Sequence, residues 1–148
     1  MDISLYQVTA MPVERVVAQL LEKTQDARQR AVVLGESEEK IEQISHFLWT
    51  YAQQSFLTHG TRKDGRAEHQ PIWLTSQMEN PNKASLLILI DGREDIALSS
   101  FERCFDVFDG THPSFLALAK DRQKKYEQGG HNVVFWRQES SGRWEKEI

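Results

Sequence analysis

The sequence predicts an α/β fold, a single Rossmann-like three-layer domain over residues 1–148 with a mostly parallel central sheet. Three observations predict it. Strand-like and helix-like stretches alternate along the chain with mostly short connections, which places parallel strands in one sheet and helices on its two faces. The run Ser85-Leu86-Leu87-Ile88-Leu89-Ile90 is apolar on both faces and closes at Asp91-Gly92, as a central strand covered from both sides does. At 148 residues the chain fits one domain, long enough to bury about 70% of its unfolded surface.

The elements follow in order. Residues 3–9 alternate apolar and polar side chains, the pattern of a half-buried strand. Pro12 stands where a helix can begin. Val13, Val16, Val17, Leu20 and Leu21 then recur at helical spacing, with Glu14, Arg15, Glu22 and Lys23 between them. Ala31-Val32-Val33-Leu34 is a short apolar run ended by Gly35. Ser37 followed by Lys40 makes a partial cap for a second helix, on which Ile41, Ile44, Phe47, Leu48 and Tyr51 form an apolar stripe. A long loop leads to a short strand over residues 72–75 and to an Asn80-Pro81-Asn82 turn. After the central strand come a strand over residues 104–108 and a helix over 113–127, with Phe115, Leu118, Ala119 and Tyr126 on its buried face. Gly129-Gly130 ends this helix, as glycine in a left-handed cap does. Residues 133–137 form a strand, which 143–147 extend as a hairpin through Ser140-Ser141-Gly142.

Composition bounds the function. Charged residues make up 27% and hydrophobic ones 39%, a globular balance. A formal net charge of −4 gives the whole molecule no electrostatic reason to coat nucleic acid. One cysteine excludes an internal disulfide framework and suits a reducing compartment. The N-terminus opens directly on a strand pattern, and no apolar run approaches the ~20 residues a membrane span needs. A cytoplasmic protein with no membrane contact is expected.

The fold class invites a nucleotide, but the required residues are missing. Ala10-Met11-Pro12 follows the first strand where a dinucleotide site needs glycines, and no Walker-type Gly-Lys-Ser/Thr occurs. Glu36, Glu38 and Glu39 after Gly35 would repel a phosphate. No cofactor is expected. The five histidines lack the spacing or cysteine partners of a zinc site, so no metal is expected either. Cys104 lies in an apolar strand, where a buried inert thiol is the simpler reading. Asp91, Asp106 and Asp109 stand in or just after predicted strands, where converging carboxylates could hold a divalent ion for phosphodiester cleavage. Asp91-Gly92 and Asp109-Gly110 also have turn composition, which accounts for them without a metal. A metal-dependent phosphodiesterase or nuclease is therefore the alternative function. On the late helix, Lys120 and Lys124 are four residues apart and share one face, with Arg122, Lys125 and later Arg137 nearby. A solvated helix face and a site for an acidic peptide both fit that pattern.

The middle of the chain resembles the chi subunit family of bacterial DNA polymerase III. Leu48-Trp49 leads to Ser55-Phe56-Leu57-Thr58-His59-Gly60 and then to Pro71-Ile72-Trp73-Leu74, in the order of that family's pattern. Ala119-Lys120-Asp121-Arg122-Gln123-Lys124-Lys125-Tyr126, Gly130-His131 and Trp136 continue the likeness, with Gln123 where the family usually has an aromatic residue. The resemblance implies a non-catalytic adaptor subunit that links the clamp-loader assembly to the acidic C-terminal tail of single-stranded-DNA-binding protein. By position, Val107, Phe108 and Asp109 would edge the tail pocket, and Lys120, Gln123 and Lys124 would face the tail. Trp49, Phe56 and Leu57 would meet a psi-type subunit or another clamp-loader component. A DNA helicase is a further partner the resemblance implies, with DNA itself reached only indirectly.

Overall fold

The structure is a computed structural model that describes residues 1–51, 57, 59–92 and 98–147. Its core is one eight-stranded sheet in the order β3-β4-β2-β5-β6-β1-β7-β8. The strands are β1 (Asp2–Val8), β2 (Ala31–Leu34), β3 (His59–Thr61), β4 (Ile72–Thr75), β5 (Leu86–Ile90), β6 (Arg103–Asp109), β7 (Asn132–Gln138) and β8 (Trp144–Lys146). Every neighbouring pair is parallel except the closing β7–β8 hairpin. Helices α1 (Val13–Asp26), α2 (Glu38–Tyr51) and α3 (Pro113–Gln128) complete the layers.

Burial explains the order. All five residues of β5 are buried, as its two-sided apolar sequence requires in a strand flanked by β2 and β6. On one face, Val16, Val17, Leu20 and Leu21 of α1 and Ile41, Ile44 and Leu48 of α2 pack on Val33, Ile88 and Val107. Each such side chain contributes about 1.5–3 kcal/mol relative to exposure. On the other face, Ala119 and Tyr126 of α3 pack with Leu5, Cys104, Phe108 and Phe135. The predicted three-layer arrangement is therefore present, with α1 and α2 on one side and α3 on the other.

Local signals fixed the helix ends. Ser37 Oγ accepts a hydrogen bond from the Lys40 amide at 3.2 Å, a working cap at the start of α2. Gly129 closes α3 in a right-handed conformation, and Gly130 supplies the left-handed one at φ +84°. The Asn80-Pro81-Asn82 turn is held by Asn80, whose Oδ1 accepts from the Ala84 amide at 2.7 Å. Two features depart from the sequence expectation. The loop before β4 contains the three-residue strand β3, which pairs in parallel with β4. Leu118, expected on the buried face of α3, is 51% exposed, and Arg122 lies inside instead.

Candidate functional site

The C-terminal half of β6 and helix α3 hold the first candidate surface. Residues alternate sides along a strand, so Val107 faces the α1/α2 layer and Phe108 the α3 layer. They are 0% and 1% exposed. Neither side chain reaches a surface that a peptide could touch, which corrects the expectation that both edge a pocket. Asp109, at the strand end, is half-buried and turns the chain into α3. Its Oδ1 accepts from the Thr111 amide at 3.0 Å and from the Thr111 hydroxyl at 2.6 Å. These bonds hold its carboxyl below the usual aspartate range. About 10 Å of helix rise separates the start of α3 from Lys120, and about 16 Å separates it from Lys124. Asp109 is not among the described residues that line the cleft holding Lys124, although its amide donates at 3.3 Å to Oδ1 of Asp91, which is.

Helix α3 is seated by a buried ion pair. Arg122 donates from Nε to Asp106 Oδ2 at 2.7 Å and from Nη2 to Oδ1 at 2.9 Å. The Tyr126 hydroxyl donates to the same Oδ2 at 2.9 Å. Burial alone would lower the pKa of Arg122, but the hydrogen bond and charge of Asp106 raise it above its usual value. Burial and that same charge push the Tyr126 hydroxyl far up, so it stays a donor. Asp106 is thus a structural carboxylate whose oxygens are committed. A Cβ at Gly92 would collide with the Arg122 guanidinium, so the backbone after β5 lies against this pair. Asp91 and Gly92 form a left-handed turn at φ +57° and +75°. Burial raises the pKa of Asp91, with Lys40 Nζ at 3.8 Å opposing that rise. Among the described residues, no group of three or more His, Cys, Asp or Glu side chains is placed to hold a metal ion. Cys104 is buried, and burial pushes its thiol well up, which keeps it unreactive.

The outer face of α3 carries the predicted basic residues, and the structure separates their roles. Lys120 lies over the Phe135 ring, 3.9 Å from its centroid, and pairs with Glu147 at 2.7 Å. Gln123 is half-buried beside it in the helix. Lys124 is exposed and has no ion-pair partner among the described residues. A cleft of ≈ 390 Å³ runs along α3 toward the β5 turn, where Lys124 and the exposed Leu118 stand opposite Asp91 and Gly92. Periodicity could not find the burial of Arg122. A charge at position 106, inside an otherwise apolar central strand, was the available signal, because such a charge needs a buried partner.

The second candidate surface lies at the end of α2. Trp49 is 63% exposed, and its ring lies 4.8 Å from that of His59. His59 is buried and fixed on both nitrogens: Nδ1 donates to the Leu57 carbonyl at 2.8 Å, and Nε2 accepts from the Ser45 hydroxyl at 3.3 Å. This pins β3 under the end of α2 and holds Trp49 at the surface. Phe47 and Tyr51 stack on the same helix with centroids 5.8 Å apart. Leu57 is 3% exposed and belongs to the core beneath α2, so its side chain is occupied by the chain itself rather than offered to a partner. Phe56, the other predicted anchor, lies outside the described residues.

Comparison with known proteins bears on both surfaces. Residues 1–134 match the family model described as DNA polymerase III chi subunit, HolC. A probable DNA polymerase III subunit chi from Rickettsia prowazekii (strain Madrid E) is 28% identical over 105 residues, covering 71% of this chain. The matched stretch spans 64% of the length of that relative. The family match runs from β1 into β7 and takes in α2, α3 and the Trp49 region. The chain belongs to the DNA polymerase III chi subunit family.

Proposed function

We propose that this protein is a non-catalytic adaptor of the bacterial DNA polymerase III holoenzyme, joining the clamp-loader side to the acidic C-terminal tail of single-stranded-DNA-binding protein. The observation that carries this reading is the family match, which reaches through both α2 and α3. The two surfaces supply the chemistry. Lys124 is an exposed cation beside Gln123 on α3, suited to a carboxylate-rich peptide. Lys120 can join it if Glu147 yields to a tail carboxylate. Leu118, rather than the buried Phe108, is the exposed apolar side chain next to Lys124.

Trp49 is the natural anchor for the clamp-loader side, where a psi-type subunit or another component would dock. Large aromatic side chains carry much of the energy of protein interfaces. Its exposure is unusual for a tryptophan, and the His59 contact limits the entropy lost when a partner covers it.

Two separate surfaces predict two separable losses. Lys124→Glu should abolish capture by an immobilised acidic, Phe-terminated peptide while leaving co-purification with clamp-loader components intact. Trp49→Ala should do the reverse. A single substitution that removed both interactions without unfolding the protein would contradict the adaptor arrangement.

A further inference from the structure

On the α1/α2 side, the buried core reaches β1 at Val8, and Tyr6 and Trp144 pack partly buried against its edge. Beyond that edge, α3 packs on the other face of β1 and β7, against Leu5 and Phe135. Strand alternation and register place Ser4, Tyr6, Val134, Trp136, Trp144 and Lys146 together on this side of the sheet. Tyr6, Trp136 and Trp144 are half-buried there. The Tyr6 ring lies 5.2 Å from Trp144 and 5.5 Å from the buried Phe105, edge to face in both cases, so Tyr6 and Trp144 adjoin at the surface over Phe105.

Cations border that patch. Arg103 lies 5.0 Å over the Phe105 ring. Together with Lys23 of α1 it lines a cleft of ≈ 240 Å³ floored by Tyr6 and Phe105, and no carboxylate is among its described lining residues. The acidic residues of β8 and its extension point the other way, Glu145 toward Arg137 and Glu147 toward Lys120. Asp2, at the lower edge, accepts a hydrogen bond from Asn132 at 3.2 Å.

We infer that the aromatic face of β1, β7 and β8, with Lys23, Arg103 and Lys146 around it, is a platform for single-stranded nucleic acid. Bases stack on aromatic side chains regardless of sequence, while cations follow the backbone phosphates. An extended peptide would need a free strand edge for its main chain. Such an edge exists here at β8, the last strand of the sheet, whereas the rings and cations lie mainly over β1, β6 and β7, whose backbones are paired on both sides. The inference is independent of the tail-binding reading, because the platform and the outer face of α3 lie on opposite sides of the sheet. It gives the chain a direct contact with nucleic acid.

The test is fluorescence anisotropy of a labelled oligothymidylate of about 12 nucleotides, within the span of one such platform, at low salt. Binding should weaken as salt rises. The double substitution Lys23→Glu with Arg103→Glu, at two exposed positions, should weaken it roughly tenfold or more. Trp136→Ala should weaken it with the melting temperature checked in parallel, and Lys124→Glu should leave it unchanged. Absence of binding, retention of full binding by the Lys23/Arg103 variant, or loss on Lys124→Glu would each overturn the inference. So would displacement by polyglutamate as efficient as by unlabelled oligothymidylate, which would make the face a site for acidic polypeptide.

Discussion

A carboxylate at the middle of a parallel sheet is costly unless its partner is buried with it. Asp106 has two partners, Arg122 and Tyr126, and a bidentate fork fixes the rotation of α3 about its axis. That rotation decides which α3 side chains face outward, and hence where Lys120, Gln123 and Lys124 stand. Arg122→Met should destabilise the fold by about 3–5 kcal/mol, since it leaves Asp106 charged and buried without its cation. The double substitution Asp106→Leu with Arg122→Met should recover most of that loss, because no charge is then stranded. Urea denaturation of the two variants checks it, and equal destabilisation in both would contradict the assigned role. This network was only half legible in the sequence. Asp106 inside Phe105-Asp106-Val107-Phe108 marked a charge in a core strand, but its partner sits 16 residues away on a helix whose basic residues all look alike in one dimension.

At the scale of elements, helical periodicity, strand alternation or a continuous apolar run was enough for all three helices and for β1, β2 and β4 to β7, whose apolar residues make up most of the core. Strand β3 was not legible, since three residues carry too little pattern and its pairing with β4 is decided by tertiary contact. The same region shows how burial sorts neighbouring apolar residues. Trp49 and Leu57 both looked like candidate anchors, yet one is exposed and the other is core. Leu57→Ala should cost about 2–5 kcal/mol of stability, through lost burial and the cavity left behind. Trp49→Ala should stay within about 0.5 kcal/mol of the parent, as exposed substitutions usually do. Thermal melts of the two variants would settle the assignment, and a steep loss from Trp49→Ala would place its ring in the chain's own core. On α3, the sequence pattern placed Phe115, Leu118, Ala119 and Tyr126 inward, and Leu118 is the one that is exposed at 51%. The true centre is the line through Ala119, Arg122 and Tyr126.

For the molecule as a whole, the sheet separates its surfaces. The end of α2 with Trp49 belongs to one layer and the outer face of α3 to the other, so the two partners proposed above would not compete for one site. No helix among the described residues is long and apolar enough to cross a membrane. The order of motifs along the chain made the family legible before the fold was known, because Leu48-Trp49, Pro71-Ile72-Trp73-Leu74 and the α3 segment each kept their place. The make-up of the α3 surface was less legible. Whether Lys120 is free or held by Glu147 and Phe135 depends on where the C-terminal hairpin lies.

The central claim is that the α3 surface recognises an acidic tail ending in phenylalanine, through shape as well as charge. Fluorescence anisotropy with two labelled peptides tests it most directly: one acidic peptide ending in phenylalanine, and the same peptide without that last residue. The account predicts binding of the intact peptide that weakens with salt through screening of exposed ion pairs. It also predicts that Lys124→Glu weakens binding more than Lys124→Ala, because reversal adds repulsion to the lost attraction. Removal of the terminal phenylalanine should abolish binding. Equal binding of the two peptides would contradict the account and reduce the α3 surface to a generic patch of positive charge.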